Sequence, residues 1–129
     1  MGLEPRSASP RRSILGAAMA EEALVVLTSV GSPEEADRIS VALVNERLAA
    51  CVNIVGGVKS VYWWKGAITR EDELLLVIKT AARLFDRVRL RIKELHRYEL
   101  PEVIALPLAA GDKDYLAWVR ESVAGTSAD

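Results

Sequence analysis

The stretch Cys51-Val-Asn-Ile-Val-Gly-Gly-Val-Lys-Ser-Val-Tyr-Trp-Trp64, closed by Lys65-Gly66 and answered by Ala67 to Thr80, decides the fold. Cys51 to Val55 alternates and branches like a strand. The glycine pair Gly56-Gly57 inside it predicts a bulge or sharp bend. The strand resumes at Val58 and runs to Trp64, and Lys65-Gly66 reads as a hairpin turn. The return strand ends in the apolar block Leu74-Leu-Leu-Val-Ile78. A two-stranded ribbon of this length cannot bury both faces within a small domain. Part of it is therefore expected to pack on another subunit.

Upstream, Ala23-Leu-Val-Val-Leu-Thr-Ser29 reads as a buried strand, broken by Gly31. Ser32-Pro33-Glu34-Glu35 is a helix start. Ser32 can cap, Pro33 suits the first helical position, and Glu35 completes a capping box. Ala36, Ile39, Ala42 and Leu43 line one face of a helix expected to end near Arg47. Downstream, Leu84, Val88, Ile92 and Leu95 repeat at helical spacing. Glu102 to Leu108 reads as a strand between Pro101 and Pro107, and Pro107, which lacks an N–H, places its end at a sheet edge. Asp112 can cap a last helix carrying Tyr115, Leu116, Trp118 and Val119. The order β-α-β-β-α-β plus a terminal helix is the split βαβ, or ferredoxin-like, α+β plan. It sets two helices on one face of an antiparallel sheet and leaves the other face to be covered. The uncovered face and the long ribbon both predict an oligomer.

Composition bounds the function classes. The 129 residues fit one domain, half of them hydrophobic and 27% charged, which excludes bulk disorder. Seventeen Lys and Arg against 18 Asp and Glu leave a formal charge of −1, so no global basic field holds nucleic acid or an anionic membrane. No apolar run reaches the ~18 residues that a membrane helix needs. One Cys and one His cannot fill a four-ligand zinc site within one chain. A single Cys fits a reducing, cytoplasmic compartment. Residues 1–20 lack any period of 2 or 3.6 and read as a disordered extension, with Met19 an alternative start. Arg11-Arg12-Ser13-Ile14-Leu15 faintly resembles a twin-arginine export signal, but the apolar stretch after it is short. Residues 21–124 form the expected domain and 125–129 a flexible tail.

Four blocks in order resemble the CutA divalent-cation-tolerance family over roughly residues 23–122. They are Leu48-Ala-Ala-Cys-Val-Asn53, Ser60-Val-Tyr-Trp-Trp-Lys-Gly66 running on to Val77-Ile-Lys-Thr80, Leu95-His-Arg-Tyr-Glu-Leu-Pro-Glu-Val103, and Gly111-Asp-Lys-Asp-Tyr-Leu-Ala-Trp118. The resemblance implies a ferredoxin-like homotrimer, similar in shape to the PII signalling proteins. It also implies a link to copper and other divalent cations and to metal tolerance, with no firmly attached reaction. A role in localising a partner protein is implied outside bacteria. Three positions depart from the family pattern. Arg97 stands where the motif usually reads His-Pro-Tyr, Leu95 where some members carry a second His, and Thr28 where some carry a Cys.

Several residues carry two readings each. His96 is a metal ligand or proton carrier, or else a histidine at a helix C-terminus meeting carbonyl groups. Cys51 is a soft metal ligand, or a small hydrophobe in an apolar strand. Tyr62 and Trp64 share one strand face and Trp63 takes the other; the shared face stacks a ligand or is buried between subunits. Lys79 snorkels or anchors an anion. Glu102 binds metal, pairs with Lys79 or faces water. The arginines of the helix around Val88 read as a solvated face. The leading expectation is a non-enzymatic homotrimer that binds a divalent cation, copper among them, or a small ligand in clefts between subunits. Tyr62, Trp64, Lys79, Tyr98 and Glu102 would line the cleft, with His96 and Cys51 as metal donors. The rivals are a PII-like signalling or scaffold module that binds a small ligand or a partner protein, and a hydrolase or transferase using His96 as base.

Overall fold

The computed structural model describes residues 22–129. Residues 1–20, with the export resemblance and the extension, lie outside the described residues, as does Glu21. Strand β1 (Ala23–Val30) leads into helix α1 (Pro33–Asn45). The ribbon follows as β2 (Cys51–Trp64) and β3 (Ala67–Ala81). A single 3-10 turn, Ala82–Leu84, opens helix α2 (Phe85–Leu95), and β4 (Ile104–Pro107) and α3 (Lys113–Ser122) complete the chain. The sheet order is β2-β3-β1-β4, with every neighbouring pair antiparallel. This is the ferredoxin-like plan expected from the element order.

Local chemistry sets the element ends. Ser32 Oγ accepts the Glu35 N–H at 3.2 Å and caps α1. The helix stops at Asn45, two residues before the expected Arg47, because Arg47 adopts φ 58°, a left-handed conformation that ends helical bonding. Leu84 belongs to the 3-10 turn rather than to α2. The last strand is shorter than expected, since Glu102 and Val103 precede β4. It pairs only with β1 and is therefore an edge. Lys65 (φ 50°) and Gly66 (φ 82°) form the two-residue turn of the ribbon. Both angles are positive, as a type I′ hairpin requires.

The even-numbered residues of β1 and β3 face the two long helices. Val26, Val30, Leu76 and Ile78 meet Ile39 and Leu43 of α1 and Val88 and Ile92 of α2, all with no exposed surface. Truncating one such Leu or Ile to Ala would cost ~2–5 kcal/mol. The odd-numbered residues, Val25, Leu27, Leu75 and Val77, form the second sheet face and are only half-buried. Ile104 and Leu106 of β4, which pair with Leu27 and Val25, continue that face and are each 48% exposed. Helix α3 packs against β1 and β3. Thr126 Oγ1 donates to Arg47 O, while Arg83 donates to the carbonyls of Val123 and Thr126. The stretch 125–129, expected as a flexible tail, is thus tied to the domain at Thr126.

Candidate ligand-binding cleft

The glycine pair decides which face the aromatic residues take. Val55 pairs with Leu75 and Val58 with Glu73, so Gly56 and Gly57 together oppose Leu74 alone. Gly57 takes φ 75°, which glycine adopts freely. The extra residue inverts the alternation of β2. Before the bulge, Cys51, Asn53 and Val55 lie on the second face of the sheet. After it, Val58, Ser60, Tyr62 and Trp64 do. Tyr62 and Trp64 therefore stand beside Glu71 and Glu73, whose odd numbers put them on the same face of β3. Trp63 points the other way and is 73% exposed.

The segment that follows α2 closes the other wall. It crosses the end of β1 on its way to the edge strand. A cavity of about 750 Å³ lies between, lined by Ser29 of β1, Tyr62, Trp64, Glu71 and Glu73 of the ribbon, and Arg97 to Leu100 with Glu102 of the crossing segment. Tyr98 Oη donates to Glu73 Oε2 at 2.7 Å. Tyr62 Oη donates to Glu71 Oε1. The bond to Glu71 pushes the half-buried Tyr62 phenol up to about 12. Burial, then the Glu73 bond, raises the Tyr98 phenol as well. Both phenols are thus held protonated beside carboxylates. Gly31 lies at the rim, where a Cβ would sit 3.1 Å from Tyr98 Oη and the ring would have to give by a few tenths of an ångström.

A buried network positions the crossing segment. His96 Nε2 lies 2.7 Å from Ser29 O, and the Tyr98 N–H donates to His96 Nδ1 at 3.0 Å. Nε2 is placed to donate to the Ser29 carbonyl, and Nδ1 accepts the Tyr98 N–H. Glu35, 2% exposed, accepts the Arg97 N–H on Oε2 at 2.9 Å and the Gly31 N–H on Oε1 at 3.4 Å. Its Oε2 also lies 3.3 Å from His96 Nδ1. The capping box expected at Ser32 is therefore half made, because Glu35 turns inward to the crossing segment instead of back to Ser32. Arg97 matters here through its backbone. A proline at that position has no N–H to give Glu35.

Four of the residues read as cleft-lining from sequence, Tyr62, Trp64, Tyr98 and Glu102, meet in this cavity. Lys79 and Cys51 do not. They pair with each other across β3 and β2 on the second face. Lys79 lies six residues along β3 from Glu73, about 20 Å away at strand rise. Its Nζ donates to Asn53 Oδ1, so the pairing of Lys79 with Glu102 weighed from sequence is not formed. Cys51 is half-buried beside Tyr115, whose phenol is raised first by burial and then by the nearby thiol. His96 lies behind the cavity wall, its side chain fully buried and both ring nitrogens engaged. Coordination by either nitrogen would break one of those bonds. Among the described residues no three His, Cys, Asp or Glu side chains gather as a metal-binding group. Glu35, Glu71 and Glu73 were not singled out by sequence. Glu71 and Glu73 carried a usable signal, since they alternate on the return strand opposite Ser60 and Val58. Glu35 gave none beyond its helix-cap position.

Comparison with known proteins agrees with the fold and the motif blocks. The family model described as CutA1 divalent ion tolerance protein matches residues 24–122. The divalent-cation tolerance protein CutA of Thermus thermophilus is 51% identical over 98 residues, 76% of this chain and 95% of that protein. The chloroplastic protein CutA 1 of Oryza sativa is 44% identical over 99 residues, 77% of this chain and 56% of that protein. Among solved structures, the divalent cation tolerance protein of Thermus thermophilus superposes with a TM-score of 0.76 at 50% identity, covering 78% of this chain and 97% of that one. The periplasmic divalent cation tolerance protein CutA of Archaeoglobus fulgidus gives a TM-score of 0.76 at 38% identity, covering 78% and 98%. The chain belongs to the CutA1 divalent ion tolerance family.

Proposed function

We propose that this chain is a non-enzymatic homotrimer that takes part in the response to divalent cations, copper among them, and that the cavity beside Tyr98 is its ligand site. The observation that carries the assembly is the second sheet face. Val25, Leu27, Leu75 and Val77, continued by the half-exposed Ile104 and Leu106, form an apolar surface that α1 and α2 do not cover. A contiguous surface of this kind marks an interface. The relatives' description as divalent-cation tolerance proteins supports the metal reading.

One chain does not fit a closed metal site, because His96 is engaged and no three donors gather among the described residues. A divalent cation would need donors from more than one copy. Cys51, half-exposed on the apolar face, is the soft donor available there. No helix of the described residues is long and apolar enough to cross a membrane. We assign the chain to the cytoplasm on its single free cysteine.

Light scattering and copper titration test this together. A mass three times 14.1 kDa is expected in solution. Copper binding is expected to weaken in Cys51→Ser and to survive in a folded His96→Ala. A monomer mass, or copper affinity equal in all three proteins, would overturn the reading.

A further inference from the structure

We infer that the cavity beside Tyr98 binds an organic ammonium ion, a primary or secondary amine on a compact apolar body. This rests on the cavity being the protein's ligand site, and it names the class of ligand. Glu73 is the anchor. It is 6% exposed and lines the cavity. Its Oε2 accepts the Tyr98 hydroxyl, while Oε1 takes no hydrogen bond among the described residues. With no protein donor on it, Oε1 is left open to a donor in the cavity, and a charged N–H makes the stronger bond to a carboxylate.

The walls select the rest of the molecule. Tyr62, Trp64 and Tyr98 bring three rings to the cavity, and aromatic faces attract ammonium groups. Trp64 already does so on this chain, with Lys65 Nζ 5.6 Å from its ring centre. The two phenols donate hydrogen bonds to Glu71 and Glu73, so both carboxylates act as acceptors at the cavity wall. Four glutamates against one arginine line the space, which disfavours anions. A bare divalent ion is disfavoured for a different reason. Hard cations need several oxygens within ~2.0–2.6 Å of one point, and these carboxylates do not converge. A volume of about 750 Å³ suits a small organic molecule rather than an ion.

The test is calorimetry on the full chain in its own assembly, in phosphate buffer, with three isosteric probes. Benzylamine is the cation, benzyl alcohol the neutral control and benzoate the anion. Benzylamine is expected to bind about tenfold or more tightly than either control, the worth of one charge-assisted bond. Glu73→Gln keeps an acceptor for Tyr98 and removes the charge, and should weaken benzylamine about tenfold while leaving benzyl alcohol unchanged. Should Glu73→Gln fail to fold, the exposed Glu71→Gln carries the test, with a smaller loss of about threefold. Equal affinity for the three probes, no benzylamine binding to the wild type, or no loss in either folded variant overturns the inference. A copper titration beside it separates the two readings. Copper binding without benzylamine binding overturns this inference alone, and benzylamine binding without copper supports it while removing the metal reading.

Discussion

Glu35→Ala should be the most damaging single change outside the apolar core. The carboxylate is 2% exposed and accepts two backbone N–H groups, from Arg97 at 2.9 Å and from Gly31 at 3.4 Å. Deleting it leaves both donors, in partly buried bonds, without their acceptor. A buried unsatisfied donor costs ~1–3 kcal/mol, and the long Gly31 bond belongs at the low end of that range. The expected loss is therefore about 2–4 kcal/mol. At roughly 4–8 °C per kcal/mol for a domain of this size, the melting temperature should fall by more than about 8 °C. Chain concentration must be held fixed, because association adds to apparent stability. Ser32→Ala is the control. It removes the cap of the same helix turn and should cost only ~1 kcal/mol. Arg97→Pro removes the shorter of the two bonds and leaves the buried Glu35 Oε2 without that donor, so it too should destabilise the fold by at least as much as Ser32→Ala. Denaturant melts of the four proteins at one concentration give the comparison. A Glu35→Ala variant no less stable than Ser32→Ala would refute the assignment of Glu35 as the tie between α1 and the crossing segment.

Alkaline pH should destabilise the fold. All three tyrosines are raised, Tyr62 to about 12, so the folded chain holds phenolic protons that the unfolded chain releases near ~10. Their stabilisation is complete below pH ~10 and is lost as pH climbs through the folded values, which an ultraviolet titration of tyrosinate beside melts at pH ~9 and ~11 would check. Gly31→Ala should displace the Tyr98 ring from Glu73 and bring its ultraviolet titration closer to the free value, because the new Cβ would meet Tyr98 Oη at 3.1 Å; an unchanged titration would count against the contact. Lys65→Asn should raise stability by ~0.5 kcal/mol in denaturant melts, since Asn-Gly suits two positive φ angles better than Lys-Gly.

The fold was legible because its signals are local and repeated. The branched run of β1, the Ser32-Pro33 start and the spacing of Val88 and Ile92 each specify an element without help from the rest of the chain. The helix end at Asn45 was less legible, because Arg47 takes a left-handed angle with a residue type that seldom signals it. The site divided on the same line. Tyr62 and Trp64 could be placed on one face by alternation alone. Which face they took depended on how many residues the Gly56-Gly57 bulge inserts, and no pattern in the letters fixes that. Lys79 and Cys51 share the right face but lie at the wrong end of it, a matter of distance along a strand that alternation does not encode. Glu35 was hidden because a glutamate three residues after a capping serine has an ordinary local role. Its partner Arg97 lies far along the chain.

The sheet order also shapes how the chain is made. Strand β1 is central, yet it emerges before either of its neighbours. Val26 pairs with Ile78 on one side and with Ala105 on the other, the latter about 80 positions later. At ~5–20 residues per second of synthesis, β1 waits roughly 4–16 s for its second partner. Until β3 emerges its apolar run Leu24 to Leu27 has only α1 beside it, and until β4 emerges its other edge stays open. The ribbon of β2 and β3 needs no such delay, because its strands are joined by a two-residue turn and can zip as they appear. A nascent chain therefore passes through an interval in which the hairpin is complete and the middle of the sheet is open. Errors of assembly, and any need for a chaperone, belong to that interval.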